Sequence, residues 1–255
     1  MKLTEMEFWD EYWAKYKLPC EVNMNFSFER VLGHTFKEIL KRDMSKSIFE
    51  IGCAPGKWLI FFKKEFSYKA FGLEYSQVGA KKTLDNFALQ NIRVEYIYKG
   101  DFFNIQPDRQ FDIVVSLGFI EHFYDVNSIV AKHIEWLKPG GQLILGVPNF
   151  RGINYFIQHV LDDSIIKKHN LKIMNKRFFE ELTHRFSLNL KFLKYCCSFE
   201  PALFIPKKGN INVVQFVMRG FLFAARHIRC FHVWDHINSR FFSSYILAVY
   251  KKVTK

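Results

Sequence analysis

Residues 48–58, reading IFEIGCAPGKW, constrain this chain more than any other stretch. Hydrophobic residues at 48, 49 and 51 surround Glu50 and run straight into a turn with glycines at 52 and 56, after which an amphipathic helix begins. That is a strand, a tight loop and a helix start. Glycine accepts backbone angles that a side chain forbids and lets a ligand come close to the main chain. The first N–H groups of the helix lack intrahelical partners and are expected to donate to such a ligand. A turn of this kind also ends ordinary core strands, so its meaning depends on the residues downstream of it.

Downstream, the pattern repeats. A second apolar run, 70–73, ends in Glu74, about 20 residues on, where dinucleotide-binding logic sets an acid against ribose hydroxyls. A third, 94–98, leads into Gly100, Asp101 and Phe102, and a fourth, 111–117, ends at Gly118. Residues 57–66 and 76–89 read as crossover helices, the second capped by Ser76. Residues 125–137 form the helix after the fourth strand and stop at Pro139-Gly140-Gly141, before a strand over 142–147. The alternation predicts an α/β fold with a doubly wound parallel sheet.

On these residues the chain resembles the class I S-adenosylmethionine-dependent methyltransferases. The matching segments are EIGCAPG (50–56), GLEYS (72–76), GDFF (100–103), FDIVVSLGFIEHF (111–123) and LKPGGQLILGVPN (137–149), in the family's order and spacing. One departure is visible, since Ala54 stands where the family's loop usually carries another glycine. The resemblance implies a Rossmann-like seven-stranded sheet whose last strand, 244–253, is antiparallel and inserted between the fifth and sixth, with helices on both faces. It implies a helical N-terminal cap over residues 1–46 and a methyltransferase domain over 47–255, with acceptor-side insertions at about 148–175 and 199–243. The first insertion shows little regular period and reads as a lid; 176–186 reads as a helix and 189–198 as a strand.

By the same resemblance, S-adenosyl-L-methionine is the cofactor and S-adenosyl-L-homocysteine the product. Glu50 orders the loop and the cofactor's methionine end, and Gly52, Cys53, Ala54 and Gly56 make the close backbone surface. Glu74 takes the ribose hydroxyls, its two oxygens accepting both donors. Asp101 accepts from the adenine amino group, Tyr75 and Phe102 lie against the ring, and Leu117 and Gly118 touch the methionine part. The pair Glu121-His122, just past the fourth strand, is the candidate for chemistry, with His122 as general base or acceptor-orienting group and Glu121 assisting. His169 is a second candidate. Tyr12 and Trp13, on an aromatic helical stripe within 5–17, would close over the cofactor.

Charge divides the chain. Residues 1–150 hold 19 basic and 19 acidic side chains, whereas 151–255 hold 18 and 6. The asymmetry predicts an anionic partner, and Arg151 and Arg226 are candidate contacts to it. From residue 213 a helix can be drawn with Arg219, Arg226, Arg229, His236 and Arg240 on one face and Phe221, Ala224, Ile228 and Phe231 opposite, a pattern that suits an anionic site or a membrane surface.

The five cysteines are odd in number and lack paired spacing, so neither a disulfide framework nor a zinc site is read here and no metal ligand is assigned. The N-terminus is charged throughout and no apolar run is long enough to span a bilayer, which points to a cytoplasmic home.

The absence of an Asp-Pro-Pro-Tyr element after the fourth strand argues against amino-directed nucleic-acid methylation. The expected acceptor is a small anionic molecule methylated on oxygen. EIGCAPG, IEHF, VPNF and the later HN resemble O-methyltransferases of bacterial capsule and surface-polysaccharide synthesis, whose acceptors are sugars, nucleotide-linked groups or phosphoramidate-type groups. Three alternatives stand beside it. They are an RNA methyltransferase, a quinone or lipid O-methyltransferase at the membrane surface, and a membrane-surface protein that has lost catalysis.

Overall fold

A computed structural model describes residues 2–207, 209, 212–228 and 235–254, the side chains at 226–228 excepted. Among the described residues seven strands form one sheet: β1 Ser47–Ile51, β2 Lys69–Glu74, β3 Tyr96–Lys99, β4 Phe111–Leu117, β5 Leu137–Pro148, β6 Leu188–Cys196 and β7 Tyr245–Lys252. Their order is β3-β2-β1-β4-β5-β7-β6. The first five run parallel, and β7 pairs antiparallel with both β5 and β6. The chain thus builds the sheet outward from β1 to β3 and then turns back to β4. Between β1 and β4 the crossovers leave in opposite directions, which opens a crevice at the carboxyl ends of the strands.

The strands are apolar nearly throughout because both faces are covered. Successive residues alternate sides: Ile48, Ile113, Val115, Leu247 and Val249 face one core, and Phe49, Val114, Ile246, Ala248 and Tyr250 face the other. The first core is closed by α2 (Ser27–Ile39), α3 (Lys57–Phe66) and α4 (Gln77–Leu89), with Leu32, Phe36, Leu59, Phe62 and Phe87 buried. The second is closed by α5 (Val126–Glu135) and α7 (Lys176–Arg185) through Ile129, Val130, Phe179 and Leu182. Ser76 Oγ accepts from the N–H of Gly79 at 2.8 Å, and Asp125 and Asn175 cap α5 and α7 in the same way.

The remaining helix of the N-terminal part, α1 (Met6–Ala14), lies against α4 and carries no fully buried residue. It runs over the crevice instead of joining either core.

Two segments differ from expectation. Residues 148–175 are not irregular, since α6 (Ile153–Ile166) occupies most of them, burying Ile157, Leu161 and Ile165 at steps of four. The polar residues that hide this period are themselves buried. Asn154 Nδ2 donates to the carbonyls of Asn149 and Ser243, and Gln158 Nε2 to those of Asp162 and Ile205, so α6 is sewn to the segments around it. Asp162, with extended angles, kinks the helix.

In 199–243, a 3-10 turn at Pro201–Leu203 precedes α8 (Val213–Ile228). His236 and Arg240 lie on the segment leading to β7 and not on the helix, while Arg229 and the side chain of Arg226 lie outside the described residues. Met218 and Leu222 pack on Ile157, Leu161 and Phe204, whereas Val213, Val214, Phe216, Val217, Phe221 and Phe223 are exposed. Among the described residues no helix is long and apolar enough to cross a membrane.

Candidate active site

A cavity of about 850 Å³ opens in the crevice at the carboxyl ends of β1, β2 and β4. Its floor is the β1–α3 turn. Gly52 sits at φ +74°, and a Cβ there would stand 2.9 Å from Phe119 Cδ2, so only a glycine lets the Phe119 ring close on the turn. The N–H groups of this turn are engaged. Those of Gly52 and Cys53 donate to the Leu73 carbonyl, that of Gly56 to the Cys53 carbonyl, and that of Ala54 to Glu74 Oε2 at 3.0 Å. The turn is thus pinned onto β2, while the first N–H groups of α3, which the sequence assigns to a ligand, are those of Lys57, Trp58 and Leu59, the last of which donates to Glu50.

Cys53 and Gly56 are correspondingly absent from the lining. Cys53 Sγ is turned into the core against Gly72, and Gly56, at φ +86°, opens α3 close to Thr83 and Phe87. Glu50, Gly52, Ala54, Glu74, Tyr75, Asp101, Phe102, Leu117 and Gly118 do line the cavity, as the sequence predicts.

The three acids at the strand ends differ in state. Glu50 is buried, its Oε2 has no hydrogen-bond partner, and burial together with the nearby Glu74 pushes its pKa well up. Glu74, also buried, accepts from the N–H groups of Ala54 and Ser76, and burial still raises it to about 7. Asp101 Oδ1 accepts from the Phe103 N–H, and its Oδ2 is held by Lys2 Nζ at 2.5 Å. The same ammonium lies 3.8 Å from the centre of the Tyr75 ring.

Lys2 gets there because the N-terminal segment crosses the cavity. Lys2 bridges to Phe123, and the Leu3 N–H donates to the His122 carbonyl at 2.8 Å. Helix α1 then brings Phe8, Trp9, Tyr12 and Trp13 to the wall, Tyr16 follows just past its end, and Asp10 accepts from Ser76 Oγ, also at the helix cap of α4. Tyr12 and Trp13 are where the sequence places them. Burial raises the Tyr12 phenol far above its usual range, so it stays protonated.

Beyond the turn at the end of β4, Glu121 and His122 sit on a 3-10 turn, Ile120–His122. Both are buried, and His122 Nε2 is 3.7 Å from Glu121 Oε1. His122 Nδ1 is 2.8 Å from the Lys168 carbonyl, which can only accept, so Nδ1 carries the proton and Nε2 presents its lone pair. His169 is fixed alike, Nδ1 lying 2.7 Å from the Ile165 carbonyl, and the two imidazole centres are 4.7 Å apart. Trp9 stands edge-on to His122 at 5.0 Å.

Burial disfavours every charge here. It lifts Glu121 to about 8 and lowers His122 to about 3 and His169 to about 4, so both imidazoles are neutral near pH 7. Glu121 Oε2 has no hydrogen-bond partner.

Among the described residues, the cations on the cavity wall are Lys2, Lys57 and Lys168. Lys2 pairs with Asp101 and Lys57 with Glu29. Lys168 has no carboxylate partner among the described residues; its Nζ rests 4.0 Å from the centre of the Phe8 ring. Arg151 is exposed and borders a separate depression with Tyr155 and Lys172, because it stands in the turn that starts α6 on the far side of Phe150. Lys2, Lys168 and Tyr245 are lining residues that sequence reasoning missed. Only Lys168 had a signal, its place beside His169.

The methyltransferase-domain family matches residues 26–198. The chain is 22% identical over 110 residues to phosphoethanolamine N-methyltransferase of Triticum aestivum, a match covering 43% of this chain and 22% of that protein. It is 30% identical over 108 residues to dTDP-3-amino-3,4,6-trideoxy-alpha-D-glucopyranose N,N-dimethyltransferase of Streptomyces venezuelae, covering 40% and 42%. It is 23% identical over 128 residues to a ubiquinone biosynthesis O-methyltransferase of Rickettsia bellii, covering half of each. The chain therefore spans half or less of the length of these relatives. Among solved structures, Haemonchus contortus phosphoethanolamine N-methyltransferase 2 in complex with S-adenosyl-L-methionine superposes with a TM-score of 0.56 at 14% identity, over 88% of this chain and 52% of that one.

Proposed function

This chain belongs to the methyltransferase-domain family, and from that premise we propose that it methylates an oxygen of a small anionic acceptor. S-adenosyl-L-methionine is the cofactor, and when bound it supplies a methyl group already activated as a sulfonium. The residues of the cavity fit it. The orphaned, buried carboxyl oxygen of Glu50 suits a cationic ammonium, Glu74 keeps lone pairs free for hydroxyls, and Phe102 and Tyr75 offer faces to a flat ring.

The single observation that carries the acceptor reading is the meeting of Glu121, His122, His169 and Lys168 on the cavity wall beside Gly118. A Cβ placed on Gly118 would be 3.6 Å from Glu121 Oε1, so the carboxyl borders the position expected for the cofactor's methionine part. Lys168 draws in a phosphate or other anion. The neutral ring of His122, whose Nε2 lies 3.7 Å from Glu121 Oε1, walls the place where the attacking hydroxyl would stand and orients it beside that carboxyl. The hydroxyl's proton goes to the ionised form of Glu121, which is reached as pH approaches about 8, and not to His122, which is too weak a base at about 3. Of the two roles the sequence offered His122, base or acceptor-orienting group, this reading keeps the second and gives the proton to Glu121.

The resemblance to capsule and surface-polysaccharide enzymes makes a sugar, a nucleotide-linked group or a phosphoramidate-type group the preferred acceptor class, with no nucleic acid as partner and a cytoplasmic reaction. A radiolabelled-methyl screen over nucleotide sugars, phosphoramidates, phosphoethanolamine and RNA tests this. Label on the oxygen of an anionic small molecule is the expected result; label on nitrogen or in RNA would overturn it.

A second reading has its own observation. The exposed apolar residues of α8 adjoin the 3-10 turn whose Ala202 and Leu203 line the cavity, and no acidic residue occurs between Glu200 and Asp235. This favours an acceptor carried in a membrane surface, such as a quinone or lipid. Co-sedimentation with anionic vesicles, together with methylation only of vesicle-borne acceptors, would choose it over the first.

A further inference from the structure

The two histidines and the carboxylate have a geometry that a proton relay does not require. Potential ligand atoms of Glu121, His122 and His169 all lie within 4.8 Å of one another. Each imidazole has its Nδ1–H tied to a backbone carbonyl, those of Lys168 and Ile165, which fixes the tautomer and aims Nε2 as a lone-pair donor. Metal-ligating histidines are oriented by this kind of outer contact. The third donor, Glu121, is 1% exposed, and its Oε2 has no partner. A carboxyl at that depth either keeps its proton or takes a compensating cation.

We propose that Glu121, His122 and His169 form a binding site for a divalent first-row transition-metal ion. The donor set of two imidazole nitrogens and one carboxylate oxygen selects Mn²⁺, Fe²⁺, Co²⁺ or Zn²⁺ over Mg²⁺ and Ca²⁺, which prefer all-oxygen shells. Metal–donor distances of about 2.1 Å place donors no more than about 4.2 Å apart, so the cluster has to close by under about 1 Å. A shift of that size is within side-chain rotation, and the Glu121 carboxyl borders Gly118, where no side chain intervenes. Three protein ligands leave coordination positions open to the cavity, where an acceptor oxygen would bind. The proposal rests on reading this cluster as the acceptor side of the active site.

Titration of the metal-free protein with Co²⁺, followed by absorption spectroscopy and calorimetry, tests the site without any turnover. Saturation at one ion per chain, with d–d bands and no thiolate charge-transfer band, is expected, the latter excluding cysteine ligands such as Cys20, Cys53 and Cys196. Glu121→Gln and His169→Ala should each weaken binding by at least about tenfold. His159→Ala, which breaks the exposed His159–Asp163 pair, should leave it unchanged. No saturable binding, a thiolate band, or affinity lost with His159 but kept in the other two variants would overturn the site. Circular dichroism and cofactor binding establish that each variant is folded, and for one that is not, the wild-type spectrum decides. Metal binding without methyl transfer to any acceptor would sink the functional reading and leave the site standing; methyl transfer by a protein that takes up no metal would do the reverse.

Discussion

Lys2 Nζ stands 2.5 Å from Asp101 Oδ2, across 99 residues of sequence, and holds the N-terminal segment against the end of β3. Asp101 is the residue expected to accept from the adenine amino group, so Lys2 and adenine compete for one carboxylate. Lys2→Ala should tighten cofactor binding roughly two- to fivefold, the range of a partly exposed ion pair. The gain should shrink as salt is added, and calorimetry at two ionic strengths measures both effects.

Glu74 makes cofactor affinity depend on pH. Its carboxyl, raised to about 7, is protonated below that value and then has fewer lone pairs for ribose hydroxyls. Affinity should fall as pH drops from 8 to 6, by up to about tenfold per pH unit. Glu74→Gln should bind more weakly at pH 8 and flatten the profile.

Glu121 and the histidines give the metal-free protein opposite pH limbs of stability. Between the ordinary carboxyl value of 4.5 and about 8, folded Glu121 keeps a proton that the unfolded chain has lost, so raising pH through this window costs stability. His122 and His169, lowered to about 3 and 4, stay neutral when folded while the unfolded chain takes up protons below 6.5, so lowering pH through that range also costs stability. Melting from pH 4 to 9 in chelator should show both limbs. Glu121→Gln should reduce the alkaline one and leave the acid one.

Gly52→Ala forces a Cβ into left-handed backbone and toward the Phe119 ring. The backbone alone costs about 1–2 kcal/mol, which lowers Tm by about 2–8 °C in a chain of this size. Displacing Phe119 should also weaken cofactor binding; thermal melts with and without cofactor separate the two effects.

Lys168→Ala should raise KM for an anionic acceptor roughly tenfold or more, the loss expected for a charged contact. The change in kcat should be smaller, because Lys168 is assigned to binding and not to proton transfer.

The sheet was legible in the sequence because its strands are buried on both faces and their turns and caps are local. Phe111–Leu117 and Lys57–Phe66 match residue for residue, and Ser76 caps as its position implies. Helix α6 was hidden by Asn154, Gln158 and Asp162, whose partners lie in distant loops or in the helix's own kink. Most of the residues assigned to the cofactor by resemblance do gather at the cavity, because they stand at strand ends and in the turn after β1, which the local sequence marks. The cavity wall also depends on contacts such as His122 with Lys168 and Lys2 with Asp101, which join residues 46 and 99 positions apart and leave no periodic trace.

The antiparallel insertion of β7 sets an order of assembly. Strands β1 to β5 can pair as soon as residue 148 is made, but β5 then presents an open edge, and β6 has nothing to pair with until Tyr245–Lys252 arrives. Closing that gap brings together segments about a hundred residues apart, a slow step for a chain and one that exposes an apolar strand meanwhile. Tyr245 and Ser244, which complete the cavity wall, are delivered by the same event. A chain made only as far as β5 therefore carries the β1–α3 turn but not the finished chamber, and its open strand edge is the kind of surface that invites aggregation.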